Sequence, residues 1–222
     1  MEGQIVKILS NLYFVEANGQ IYECHSRGKF RNQNITPVVG DFVRIDDVQC
    51  YILEVLPRKN QLVRPLVANI DQAFLITSVK SPDFSSYLLD KLLVVMHVHH
   101  IEPILCFTKY DLLTKEEKKK MNAILRYYKK IGYSTLRNHQ LFRIKRKFKG
   151  KTSVFTGQTG AGKSSLLNRL DSHLHLETGE ISKALGRGKH TTRHVELIRL
   201  FSGKVLDTPG FSSLDISSFS PS

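Results

Sequence analysis

The chain has 222 residues, of which 41% are hydrophobic and 24% are charged, which excludes a disordered or fibrous chain. Its length allows one sizeable domain or two small ones. Thirty-three Lys and Arg against twenty acids give a net charge of +13, which favours nucleic acid or an anionic membrane as partner. A basic enzyme without a polyanionic partner is the alternative.

Cellular location is indicated by weaker signals. The three cysteines, Cys24, Cys50 and Cys106, share no metal-ligand spacing, and a sparse, odd count is typical of reduced thiols in a cytosolic protein. The N-terminus shows no secretory signal, and the longest apolar stretch, 87–98, is too short and too charged to span a bilayer. We therefore expect a cytoplasmic monomer that does not engage a membrane.

Residues 1–65 contain segments rich in β-branched and aromatic residues, with Asn18-Gly19 as a hairpin signal between the second and third. So many strands in so short a segment predict a small barrel, most commonly an OB-fold, although propensity does not separate it from an SH3-like barrel. The predicted strands are Gln4–Leu9, Tyr13–Glu16, Gln20–Cys24, Asp41–Ile45 and Tyr51–Val55.

After Pro65, apolar strands alternate with helices, which predicts a mostly parallel α/β sheet with crossover connections. The strands are expected at 72–77, 102–107 and 151–156, and the helices at 85–96, at 114–131 and from residue 163. Thr114 and Glu117 fit a capping box. We predict an OB-fold domain over 1–65, an α/β domain over 66–215 and a frayed or truncated tail over 216–222.

A phosphate-binding loop follows the strand that ends at Thr156. The pattern Gly-x-x-x-x-Gly-Lys-Ser lets successive main-chain N–H groups face one phosphate chain. The lysine neutralises β- and γ-oxygens, and Ser164 offers a hydroxyl to Mg²⁺. The alternative is a glycine-rich turn with a solvent-facing lysine. The expected nucleotide-binding residues are Gly157, Gln158, Thr159, Gly160, Ala161, Gly162, Lys163, Ser164 and Ser165.

An acid for the magnesium ion is expected at the end of another buried strand, and Asp207 in Asp-Thr-Pro-Gly supplies it, acting through water. Gly210 can bring its N–H close to a γ-phosphate. Read alone, the same four residues are equally typical of a β-turn.

The segment Thr108-Lys109-Tyr110-Asp111 follows a buried strand, at the edge where α/β sheets bind ligands. Asp111 can accept from the two neighbouring donors of guanine, which adenine lacks, and the stem of Lys109 can lie against the base. The usual pattern of such a base-contacting element is Asn-Lys-x-Asp, and Thr108 stands in place of its asparagine. Threonine lacks the amide that bonds both the base and the phosphate loop, so we expect a looser purine contact. A helix N-cap is the alternative interpretation.

The order of these motifs is unusual, because the base segment precedes the phosphate loop and Asp207 follows both. With the N-terminal barrel and the string Gly186-Arg-Gly-Lys-His-Thr-Thr-Arg-His194, the chain resembles the ribosome small subunit-dependent GTPase A (RsgA) family of circularly permuted GTPases. The resemblance implies Mg²⁺-dependent hydrolysis of GTP to GDP, stimulated by the small ribosomal subunit during its late assembly, and an OB-fold that contacts rRNA.

Two departures accompany this resemblance. The family's C-terminal zinc domain has no counterpart after Asp207, so the resemblance carries over no zinc site, and the chain is either truncated or has lost the domain. The second base-contacting segment, expected around Ser134-Thr135, is brief and lacks a clear match.

The family's motif implies that one threonine of Thr191-Thr192 completes the Mg²⁺ shell, and we favour Thr192. Phe211 stands where many GTPases place a water-orienting glutamine, so His190 is our candidate for that catalytic role; contact with RNA, or none, is the alternative. The basic stretch 137–151 is either an RNA surface or a solvated helix face, and Arg58, Lys59 and Arg64 form a second candidate RNA surface. A P-loop ATPase or kinase and a non-enzymatic RNA-binding module are the rival functions.

Overall fold

The computed structural model describes residues 1–26, 35–63, 65–172 and 195–207. Its N-terminal part is a barrel of short strands in which β1 pairs with both β2 and β4, and β3 pairs parallel with β5. The closed order β1-β2-β3-β5-β4-β1 decides for the OB-fold. The strands are β1 Glu2–Leu9, β2 Leu12–Ala17, β3 Gln20–Ser26, β4 Phe42–Asp46 and β5 Tyr51–Val55.

The barrel forms because alternate side chains point into one small core. Ile5, Val15, Val43 and Ile52 are almost completely buried there. At the predicted hairpin, Asn18 and Gly19 have φ of 50° and 77°, so both residues of the two-residue turn lie in the left-handed region that matches the strand twist.

The second part is a parallel α/β sheet. Strand order is β10-β9-β8-β11-β13, every neighbouring pair is parallel, and β12 is antiparallel to β13. A hairpin, β6 Gln61–Val63 and β7 Leu66–Ala68, precedes it, so a domain boundary at residue 65 stays a prediction. The sheet strands are β8 Gln72–Ser78, β9 Glu102–Thr108, β10 Ser134–Arg137, β11 Thr152–Thr156, β12 Glu196–Leu200 and β13 Gly203–Asp207.

Four helices connect these strands in the described ranges: α1 Ser86–Val98, α2 Lys115–Lys130, α3 Leu141–Lys147 and α4 Lys163–Leu170. A short 3-10 helix, Tyr110–Leu112, follows β9. The capping box at the start of α2 is confirmed, because the Thr114 hydroxyl accepts from the N–H of Glu117 while the Glu117 carboxylate accepts from the N–H of Thr114.

The two parts share one eleven-stranded sheet, because β12 lies antiparallel to β1 with Glu196 opposite Lys7. The Glu16 carboxylate accepts from Arg199 and from Lys204, the latter at 2.5 Å, so ion pairs tie the barrel to the β12–β13 hairpin. Lys204 also donates to the side chain of Gln4 at 2.7 Å. Sequence periodicity does not reveal this continuity.

All three cysteines are free, and Cys24 and Cys106 are buried. Burial raises the pKa of the Cys24 thiol to about 11 and that of Cys106 to about 12, so both stay neutral and unreactive at physiological pH. They act as small apolar core residues.

Candidate nucleotide-binding site

The phosphate loop lies between β11 and α4, at the carboxyl edge of the parallel sheet. Gly157 has a φ of +146°, and a Cβ built on it would lie 2.1 Å from the carbonyl oxygen of Ile76. Gly162 begins α4 with a φ of +87°. Glycine is required at Gly157 because the loop presses against β8, and glycine is favoured at Gly162 because its φ lies in the left-handed region.

Lys163 curls back over this loop, and its Nζ donates to the carbonyl oxygens of Gly157 at 2.7 Å and Gln158 at 3.0 Å. The residue is only 7% exposed, and burial lowers the pKa of its ammonium group to about 8. Among the side chains that the structure describes, no carboxylate balances this charge. A bound anion such as a phosphate would supply the missing countercharge.

The oxygen donors expected for magnesium lie near the same edge. Ser164 is half-buried in the first turn of α4, next to the exposed Ser165. Asp207 is the last residue of β13, which runs parallel to β11, so both strands end at the phosphate-loop edge; the side chain of Asp207 lies outside the described part. Hydroxyl and carboxylate oxygens are ligands that suit Mg²⁺.

The base segment meets the phosphate loop directly. Thr108, the last residue of β9, is buried, and its hydroxyl donates to the carbonyl oxygen of Ala161 at 2.6 Å. The hydroxyl therefore keeps a contact with the phosphate loop without an asparagine amide, while the looser purine contact stays a prediction.

In the rest of the base segment, Lys109 and Asp111 lie at the ligand-binding edge of the sheet, whereas Tyr110 lies in the core. Asp111 is exposed at the start of the 3-10 helix, and Lys109, at a φ of 60°, donates from Nζ to the carbonyl oxygen of Ser81. Tyr110 is buried, and its hydroxyl donates to Asn122 Oδ1 at 2.6 Å. The side chain of Tyr110 thus packs against α2, and a contact between this residue and nucleotide stays a prediction.

The positions at which a second base-contacting segment is expected do not lie at the ligand edge. Ser134 and Thr135 pair with Ile104 and Leu105 inside the sheet, away from the ligand edge. The strand ends at Arg137, and the N–H of Asn138 donates to the carbonyl oxygen of Phe107 at 2.9 Å. Asn138 and His139 thus follow β10 at the edge where Thr108 follows β9. Assigning a four-residue strand from Ser134 in the sequence would have placed Asn138 and His139 at this edge.

Two cations of the second candidate RNA surface, Arg58 and Lys59, pair with acids of the fold. Arg58 makes a bidentate ion pair with Asp41, at 2.6 and 2.7 Å, and Asp41 is completely buried. Lys59 pairs with Asp71. Both cations form ion pairs with acids of the fold, which lowers the net charge available to RNA, so an RNA surface here stays a prediction. Arg64 lies outside the described residues. So do His190, Thr192 and Gly210.

Within residues 1–26, 35–63, 65–172 and 195–207, no helix is long and apolar enough to cross a membrane. The same residues contain no group of three or more His, Cys, Asp or Glu side chains placed to hold a metal ion.

The base segment precedes the phosphate loop in the chain, yet it donates a hydrogen bond to that loop. The sheet that carries both is continuous with an OB-fold barrel. This order and this architecture define a circularly permuted P-loop nucleotide-binding protein. The family description RsgA GTPase matches residues 55–217, and RsgA N-terminal domain matches residues 2–50. The chain therefore belongs to the RsgA GTPase family, and it is a GTPase.

Individual relatives agree with this assignment. The chain is 50% identical over 222 residues to small ribosomal subunit biogenesis GTPase RsgA 2 of Oceanobacillus iheyensis, covering 96% of this chain and 76% of the relative. It is 48% identical to the RsgA of Enterococcus faecalis, covering 97% and 74%. Among solved structures it is similar to YloQ, described as a circularly permuted GTPase, with a TM-score of 0.79 and 38% identity over 98% of this chain and 74% of that one. YjeQ from Thermotoga maritima gives a TM-score of 0.78 and 34% identity over 95% and 75%.

Proposed function

We propose that this GTPase hydrolyses GTP when stimulated by the small ribosomal subunit, and that it acts late in assembly of that subunit and contacts its rRNA. One observation carries the nucleotide part of the proposal: the hydrogen bond from Thr108 to Ala161, which brings the base segment against the phosphate loop. The names of the relatives support the ribosomal part. A cytoplasmic monomer fits this role.

Each element of the site has a separate task in binding. The main-chain N–H groups of 157–164 bind the phosphates, and Lys163 exchanges its two carbonyl partners for β- and γ-phosphate oxygens. Asp111 accepts from guanine N1 and N2, and the stem of Lys109 lies against the base. Asn138 and His139 line the same edge as a second base contact.

Hydrolysis needs positioning and charge neutralisation more than covalent chemistry. Magnesium, when bound, neutralises charge on the phosphoryl oxygens. Ser164 and Thr192 would hold the ion directly and Asp207 through water. The N–H of Gly210 would approach the γ-phosphate, and His190, as neutral imidazole, would orient the attacking water.

Phosphate release from GTP, measured with and without purified small ribosomal subunits, tests the proposal. We expect weak basal turnover that rises at least about tenfold with subunits, because the catalytic groups await ordering by a partner. An excess of GDP should compete with a fluorescent GDP analogue, and ATP should not. Equal competition by ATP would indicate a P-loop ATPase, and absence of stimulation would refute the ribosomal role.

A further inference from the structure

A broad groove of about 940 Å³ lies at the free edge of the sheet, away from the barrel and separate from the phosphate loop. Strand β10 forms its floor, with α2 on one side and α3 on the other. Seven of the side chains that line it are cations and none is an acid: Lys119, Arg126, Lys129, Arg137, Arg143, Arg146 and Lys147.

These cations are arranged on defined helix faces. Lys119, Arg126 and Lys129 recur at intervals of seven and three residues, which places them along one stripe of α2. On α3, Arg146 and Lys147 lie three and four residues after Arg143, which places these three cations on one face of that helix. Both helices therefore present their cations to the same groove. A solvated basic helix would instead carry its charge on a single outward face.

Acids of the fold do not neutralise the groove. In the described ranges, only Lys147 among the seven lies within 4.0 Å of a carboxylate, that of Glu102. Arg137 is held by neutral groups: its guanidinium donates to Asn122 Oδ1 at 2.6 Å and lies 4.4 Å from the centre of the Tyr110 ring. So much uncompensated charge in one concave surface fits a polyanion whose charges repeat along a strand.

An exposed aromatic ring distinguishes among polyanions. Phe142 lies beside the groove on α3 and is 73% exposed, and the guanidinium of the groove residue Arg146 lies 5.9 Å from its ring centre. Unpaired bases stack on exposed aromatic and guanidinium planes, while an acidic polypeptide has no such flat groups.

We propose that the groove between α2 and α3 binds single-stranded RNA, with phosphates along the two cationic stripes and a base on Phe142. The proposal rests on the ribosomal role above and adds the place of contact. It also links RNA to the nucleotide site, since Arg137 on the groove floor packs against Tyr110, the neighbour of Asp111.

Fluorescence anisotropy of a labelled unstructured RNA oligonucleotide tests this with the full chain and an Arg143→Ala/Arg146→Ala variant. We expect about tenfold weaker binding and a salt dependence shallower by roughly 1.4 in log–log slope, from two lost phosphate contacts. Phe142→Ala should lose roughly fivefold with the slope unchanged. The control Lys115→Ala/Lys120→Ala removes two exposed cations from α2 outside the groove and should bind like wild type.

Melting temperature and affinity for a fluorescent GDP analogue verify that the variants fold. If the Arg143/Arg146 variant and its control bind RNA equally well, the groove proposal is wrong, even where small subunits still stimulate wild-type hydrolysis. Equal binding of polyglutamate, or tighter binding of duplex RNA, would also overturn it. Loss of subunit stimulation in wild type, with groove-dependent RNA binding intact, would instead refute the proposed function alone.

Discussion

The hydroxyl of Thr108 donates a hydrogen bond to the main-chain carbonyl of Ala161, 53 residues further along the chain. The bond holds the end of β9 against the phosphate loop that follows β11, although β8 lies between the two strands in the sheet. Because the bond is buried, water does not compete for either partner.

Removing this hydroxyl should weaken nucleotide binding. Thr108→Val keeps the shape of the side chain but leaves the Ala161 carbonyl without that donor, which costs about 1 kcal/mol, or roughly fivefold in affinity. Titration with a fluorescent GDP analogue measures the change. Thr108→Ser keeps the hydroxyl and should bind within about twofold of wild type; an equal loss in both variants would show that the methyl group, not the hydrogen bond, matters.

The buried charge of Lys163 should lower the melting temperature of the nucleotide-free protein, and the same charge should be necessary for nucleotide binding. Lys163→Met removes a buried charge whose partners are two carbonyls, so the nucleotide-free variant should melt at or above the wild-type temperature. Nucleotide affinity should fall at least about 100-fold, because the phosphates lose a buried cation. Calorimetry with and without GDP measures both effects. Lys149→Met, an exposed site with the same charge change, should alter neither; a large drop in the melting temperature of Lys163→Met alone would contradict this account.

Glu16 should stabilise the junction between barrel and sheet in a pH-dependent way. Burial opposes its ionisation, but hydrogen bonds from Lys204 and Arg199 outweigh burial and lower its pKa below the usual 4.5. The unfolded chain therefore takes up this proton first as pH falls. The contribution is complete above pH 4.5 and is lost as pH falls through the folded-state pKa.

Glu16→Gln should accordingly reduce the free energy of unfolding by about 1.5 kcal/mol at pH 7, with the difference from wild type shrinking below pH 4.5. Urea unfolding across pH measures it. Glu23→Gln, on the exposed side of β3, should stay within about 0.5 kcal/mol. A difference that is independent of pH would rule out the ion pairs as its source.

Arg58 should matter for folding and not for RNA. Arg58→Met leaves the completely buried Asp41 carboxylate without its cation and should cost about 3 kcal/mol of stability. Chemical denaturation measures the loss, and Arg58→Met/Asp41→Asn should recover part of it. Unchanged stability together with weaker RNA binding would restore Arg58 to the RNA surface.

His190 should act in turnover and not in affinity. His190→Ala is expected to keep GDP affinity within about twofold, while subunit-stimulated phosphate release falls about 100-fold, since only the orientation of water is lost. His194→Ala in the same segment is the matched control. Equal turnover of wild type and His190→Ala would leave His190 as an RNA-contacting or idle residue.

Local patterns in the sequence determined most of the strands, turns and caps of this protein and the position of its phosphate loop. Each β-strand of the barrel, the Asn18-Gly19 turn, the capping box at Thr114 and the loop around Lys163 depend on residues that are neighbours along the chain. Backbone preference and side-chain alternation act over such short distances, and the sequence displays them directly. The reversed order of base segment and phosphate loop was likewise visible without coordinates.

Only the tertiary structure decided which segments distant in sequence pack against each other. The packing of Tyr110 on α2, the pairing of Arg58 with Asp41, the end of β10 at Arg137 and the strand contact between Lys7 and Glu196 all join residues distant in sequence. The basic stretch 137–151 gained a concave shape only when α2 packed on the opposite side of β10. Register and long-range packing follow from the burial of whole faces, which no local window of residues contains.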